Sequence, residues 1–169
     1  GYYVLDSNLV DCSYDVGILI CADNVILNGL NHTIDSNRNG IAIYVQNACN
    51  VTVMNITITQ WDVDIVIKNS SYVNVTMCKC KESGGGIHLS NSTHFVICRN
   101  NIITWSYGIF INKSSTGIIS MNNISADRCG EGCGIKVYET SLCNITLNNI
   151  IYNIRGICVE ASSNCNIIN

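Results

Sequence analysis

The groups able to do chemistry in this 169-residue chain are few: twelve carboxylates, three histidines, eleven cysteines and twelve aromatic rings. Hydrolysis of a glycosidic bond needs two carboxyl groups roughly 5–10 Å apart across a sugar. Asp62 and Asp64, two residues apart, are the best-spaced pair, followed by Glu139 with Glu160. Asp62 and Asp64 read foremost as a solvated corner or turn cap. Asp35, Glu82, Asp127 and Glu131 are scattered along the chain. His88 and His94 lack partners at metal-ligand spacing, and His32 reads as a turn residue. On these residues the chain is not expected to be an enzyme.

The cysteines form no Cys-x-x-Cys. Cys78-Lys-Cys80 and Cys129-Gly-Glu-Gly-Cys133 come nearest, without the second pair or histidine that zinc needs. No metal or cofactor is therefore expected. Disulfides in an oxidising compartment are the better reading, with one thiol left over because the count is odd.

A repeat must position these groups. A small residue, Ile, a variable residue and a branched aliphatic recur as Gly17-Ile18-Leu19-Ile20, Gly40-Ile41-Ala42-Ile43, Asp64-Ile65-Val66-Ile67 and Gly86-Ile87-His88-Leu89. Gly108-Ile109-Phe110-Ile111, Gly134-Ile135-Lys136-Val137 and Gly156-Ile157-Cys158-Val159 complete the series, at intervals of 23, 24, 22, 22, 26 and 22 residues. Alternation of apolar and variable positions is strand periodicity. A turn with Ser70, Ser92, Ser114, Thr140 or Ser162 follows, then a second strand such as Asn74-Val-Thr-Met or Asn144-Ile-Thr-Leu. A third short piece opens on Asn, as at Asn101, Asn123 and Asn149, preceded by Asn100, Asn122 and Asn148.

Three short strands per unit of roughly 22 residues predict an all-β fold, a single-stranded right-handed parallel β-helix of about seven coils. The whole of 1–169 is expected to be one domain, with 1–16 an N-terminal strand segment and 17–169 the coils, the last incomplete. Asn stacked in a turn should pass amide hydrogen bonds between coils. Coils about 4.8 Å apart would bring Cys143 over Cys165 within disulfide reach. Cys78, Cys80 and Cys98 should lie one coil apart, and Cys129 and Cys133 in the one inserted loop. Trp61, Trp105 and Tyr107 fall late in their coils and could build a sugar platform.

The opening Gly1-Tyr-Tyr-Val-Leu-Asp-Ser, the segment Asn24-Val-Ile-Leu-Asn-Gly-Leu-Asn-His-Thr-Ile-Asp35 and the units themselves resemble the NosD-like β-helix proteins, common among archaeal surface proteins. The resemblance covers essentially the whole chain and implies a right-handed β-helix that is secreted or displayed on a cell surface. Family members that cleave galacturonan carry clustered Asp with Arg, Lys or His, a cluster not found here. The family's namesake implies a further alternative, a periplasmic metal-insertion accessory, for which Met77, Cys78 and Cys80 are the candidates.

Only 12% of residues are charged, so 24 Asn, 16 Ser and 10 Thr must cover the surface. With a net charge of −3 and no basic cluster, nucleic acid is not an expected partner. No apolar run reaches the length of a membrane span. Nine Asn-x-Ser/Thr sequences, at Asn31, Asn50, Asn55, Asn69, Asn74, Asn91, Asn112, Asn123 and Asn144, are open to N-linked glycans.

The leading expectation concerns the ends. An uncapped solenoid exposes its apolar interior and unpaired strand edges to another chain. Tyr2, Tyr3, Val4 and Leu5 of one subunit would meet Ile157, Val159, Ile167 and Ile168 of the next, giving a head-to-tail homopolymer. Cys12, Cys21, Cys158 or Cys165 could lock such subunits covalently. The expected function is a structural subunit of a surface layer or filament, with a carbohydrate-binding or polysaccharide-cleaving module as the alternative.

Overall fold

The computed structural model describes residues 1–126 and 132–168. Every paired strand in them runs parallel, and they stack into three sheets. Sheet A holds eight strands, from Tyr2–Val4 to Asn166–Ile168. Sheet B holds seven, from Leu9–Cys12 to Asn149–Ile151, and sheet C seven, from Val16–Ile20 to Arg155–Glu160. Coil four shows the plan: Ser71–Thr76 in sheet A, Lys79–Ser83 in B and Gly85–Ser90 in C. Residues 2–12 enter the same sheets as the repeats, Tyr2 pairing with Ile26 and Leu9 with Ile34.

Strand alternation sends Ile43, Ile65, Ile87, Ile109 and Ile135 inward as one fully buried column. That register moves the second phrase. Ile18 pairs with Ile43, not Ile41, so the small residue of coil two is Ala42 and the first intervals are 25 and 22 residues. Gly40-Ile41-Ala42-Ile43 fits the pattern equally well because a two-residue slip preserves strand alternation. Close packing explains the small position itself: a Cβ at Gly86 would lie 2.3 Å from the Gly108 carbonyl oxygen.

From coil three onward, two-residue corners join sheet C to A and sheet A to B. The first corner residue is left-handed: Asn47, Asn69 and Asn91 at one corner, Asn55, Met77 and Arg99 at the other. Asn tolerates this conformation better than most side chains. The second corner residue points inward and meets the buried backbone. Ser70, Ser92, Ser114 and Thr140 each accept a hydrogen bond from the amide of the coil before and donate to a carbonyl two residues back.

At the other corner Asn100, Asn122 and Asn148 form the expected amide ladder. Asn122 Oδ1 accepts from Asn100 N and Nδ2, both at 3.0 Å, while its Nδ2 donates to Ile97 O and Asn148 Oδ1, both at 2.9 Å. Removing it strands several buried polar groups. Asn122→Ala should therefore lower stability by roughly 3 kcal/mol in urea denaturation. Asn123→Ala, which removes only two exposed ladder bonds, should cost less than about 0.5 kcal/mol.

Candidate functional site

The carboxylates do not converge. Asp62 is exposed and accepts from Gly40 N at 3.2 Å, whereas Asp64 points inward and is fully buried. Two residues apart on one strand they would share a face, but the strand begins only at Val63, so Asp62 stays in the turn before it while Asp64 enters the inward column. Glu139 and Glu160 are each engaged by a lysine, Lys113 at 3.7 Å and Lys136 at 3.3 Å. Asp35 takes a hydrogen bond from Thr59. Asp127, Glu131 and Cys129 lie outside the described residues.

Asp64 occupies the small-residue column, in line with Ala42 and Gly86. Neither carboxylate oxygen has a hydrogen-bond partner: Ser83 Oγ lies beside it but donates to Lys81 O and accepts from Trp61 N. Burial pushes the Asp64 carboxyl well above the usual carboxylate range, with Ser83 and Cys80 opposing that shift. It is an interior acid whose burial favours the protonated form.

The cysteines follow the same inside-outside rule. Cys133 bonds Cys158, with a Cα separation of 6.4 Å. Cys143 and Cys165 are not joined, contrary to expectation. They lie on neighbouring coils, Cys165 just before the strand that pairs with the strand of Cys143, and Cys165 Sγ turns toward Thr140 O and Ser163 O. Equivalent positions on neighbouring parallel strands send their Cβ atoms the same way rather than toward one another. Cys78 and Cys80 are buried, whereas Cys98 faces outward against Thr76, so these three form no bridge either. Cys12 and Cys21 are free, and Cys158 is consumed within the chain.

The proposed ring platform also divides. Trp61 is buried, donating its indole N–H to Ile34 O at 3.3 Å, so it belongs to the core. Trp105 lies under the Arg38 guanidinium at 4.5 Å, and Tyr107 leans on Phe110. His88, edge-on to Phe110, is lowered to about 4 by burial and is uncharged at neutral pH.

A different pair of rings is exposed together. Tyr72 and His94 stack at 4.6 Å with planes 20° apart. They sit one coil apart on the outer face of sheet A, where Ser71 pairs with Thr93. Their column continues through Asn50, Thr116 and Leu142, all left-handed with φ of 53–56°. Beside it runs a second column, Asn74, Val96, Ile118 and Asn144. Between the columns lies an open groove of about 440 Å³. Phe95 fills the wall beneath Gly117, where a Cβ would lie 1.9 Å from the ring. The 22-residue spacing of Tyr72 and His94, each just after a turn serine or threonine, was the sequence signal for this pair.

Residues 4–169 match the family described as periplasmic copper-binding protein (NosD). The chain belongs to the NosD family. No curated protein matches it. Among solved structures, a double mutant of the periplasmic alginate epimerase AlgG is similar at 19% identity and TM-score 0.75, covering 86% of this chain and 34% of its own. An alginate lyase from Paenibacillus sp. is 14% identical with TM-score 0.63, covering 89% of this chain and 67% of its own. The enzymatically active domain of bacteriophage CBA120 tailspike protein 2 is 17% identical with TM-score 0.62, covering 90% and 26%. This NosD-family chain thus spans about a third of the epimerase. At such identities the likeness establishes the right-handed parallel β-helix.

These neighbours correct the expectation that the chain is not an enzyme. An epimerase, a lyase and an enzymatically active tailspike domain share its fold. The dispersed carboxylates argue only against a two-carboxylate hydrolase among the described residues. Nor do the neighbours support a filament. Tyr2, Tyr3, Val4, Val159, Ile167 and Ile168 are exposed and Ile157 is half-buried, while Leu5 packs into the core. The first and last coils of any solenoid expose such residues, so their exposure does not by itself point to another subunit.

The family's description raises copper, and the described residues do not fit it. Among them no three His, Cys, Asp or Glu side chains gather as a metal site. Cys78 is pushed up to about 12 by burial, and Met77 beside it is exposed on the opposite face. Among the described residues, no helix is long and apolar enough to cross a membrane. The nine Asn-x-Ser/Thr asparagines are all exposed or half-buried.

Asp64 gives a pH test. Its folded-state pKa is raised, so the folded chain holds a proton that the unfolded chain releases above about pH 4. Stability should be highest below that pH and fall by about 1.4 kcal/mol per pH unit until the folded-state pKa is passed. Asp64→Ala, isosteric with Ala42 one coil away, should abolish this decline and be more stable at pH 8 by roughly 1–3 kcal/mol. Urea denaturation from pH 4 to pH 9 measures both.

Proposed function

We propose that this NosD-family chain is a carbohydrate-binding or carbohydrate-processing β-helix module acting outside the cytoplasm, with the sugar seated in the sheet A groove. The observation that carries this reading is the exposed Tyr72–His94 stack inside an amide-lined groove. Tyr72 keeps 54% of its surface exposed although it is large and half apolar. Rings that face solvent in a concave, rigid site are suited to the C–H surfaces of sugars. Asn50, Asn74 and Asn144 add donors and acceptors for hydroxyl groups.

Backbone rigidity favours binding further. The groove rests on paired strands, so little ordering accompanies occupation. The alginate- and tailspike-related neighbours on the same fold, and a family described as periplasmic, support both the substrate class and the location. N-linked glycans on Asn50, Asn74 or Asn144 would occupy the groove itself.

Calorimetric titration against a panel of soluble polysaccharides tests the proposal. A positive ligand should lose about tenfold or more in affinity with Tyr72→Ala and with His94→Ala. Tyr152→Ala, an exposed tyrosine outside the groove, should leave it unchanged. Equal affinity in all three variants would move the sugar elsewhere on the protein.

A further inference from the structure

Resting on that carbohydrate reading, we infer that the groove takes an uncharged, extended glycan laid along the coil axis, not a uronate polymer. Among the described residues, no Lys, Arg, Asp or Glu lines it. Its polar groups are amides, the Thr116 hydroxyl, the Tyr72 phenol and one imidazole, and its floor includes Val96 and Ile118. A carboxylate set down on that floor would lose water without gaining a cation, which is costly. Hydroxyl groups, by contrast, can be met by Asn amides and still leave C–H surface for the aliphatic floor.

The groove's direction follows from its construction. Asn50, Tyr72, His94, Thr116 and Leu142 come from five successive coils, so the site is linear and advances by about 4.8 Å per residue of the column. An extended pyranose chain advances by a similar length per sugar and can place one ring against each coil. Five coils accommodate about four or five sugars, spanning roughly 19 Å. The cations of sheets B and C, such as Lys79, Lys81 and Lys136, lie on other strands and do not reach this face.

The test uses protein made without N-glycosylation and probes of equal length. Cellotetraose, mannotetraose and chitotetraose are titrated beside tetramannuronate, at low and high salt, on the unaltered chain, Tyr72→Ala and Ile118→Lys. At least one neutral tetrasaccharide should bind about tenfold or more tighter than tetramannuronate, with little salt dependence. The best neutral sugar is then titrated as a series from disaccharide to hexasaccharide, in which affinity should rise with length and level off at four to five sugars. Ile118→Lys, an exposed position in the middle of the groove, should shift preference toward tetramannuronate and introduce salt dependence. Tetramannuronate binding as tightly as the best neutral sugar, with loss in Tyr72→Ala, overturns the neutral-glycan inference and leaves the groove as the site. Absence of binding by every probe overturns the groove reading itself.

Discussion

Everything in this fold depends on satisfying the backbone where the chain turns. Strands pair with the coil above and below, but a corner brings amides into the apolar interior with no strand to receive them. Leaving such a group unpaired costs roughly 1–3 kcal/mol. Ser70, Ser92, Ser114 and Thr140 supply the missing acceptors at one corner, and Asn100, Asn122 and Asn148 at the next. Each side chain serves a neighbouring coil as well as its own, so the corners hold successive coils in register. The aliphatic column then stacks coil on coil, fully buried.

Registration of this kind frees the outer face. Outward residues contribute little to the core, so a column can change from Asn50 to Tyr72 to His94 without altering the backbone beneath. The left-handed conformation shared by that column keeps its members at a common height and angle. Recognition chemistry can then be written onto a surface whose geometry is already fixed. Asp64 shows the reverse situation: it is a polar residue in the inner column, where every alternative is Gly or Ala, its oxygens lack hydrogen-bond partners and burial favours the protonated form.

The coil plan, the inward isoleucines and the Asn ladder were legible in the chain because each repeats with strict chemistry. Coil two was misread because Ile41 and Ile43 both satisfy an alternating pattern, and only strand pairing distinguishes them. Trp61 drew attention as an aromatic, yet its place three residues before Asp64 puts it at an inward corner. The Cys133–Cys158 bond joins residues offset in register, which column matching between coils does not find. Tyr72 and His94 are visible in the sequence as residues but not as neighbours, since the aliphatic positions of the repeat carry no information about its outward column.

The three corners differ in how much length they tolerate. Between Gln46 and Asn149 the serine and asparagine corners are each two residues, whereas the connection from sheet B to sheet C ranges from Gly84 alone between Ser83 and Gly85 to six residues between Ala126 and Cys133. Among the described residues, no continuous side-chain ladder ties that third corner together. It is the natural port for grafted segments: new loops can emerge along one edge of the solenoid, gene duplication by gene duplication, while the other two edges hold the thread pitch constant.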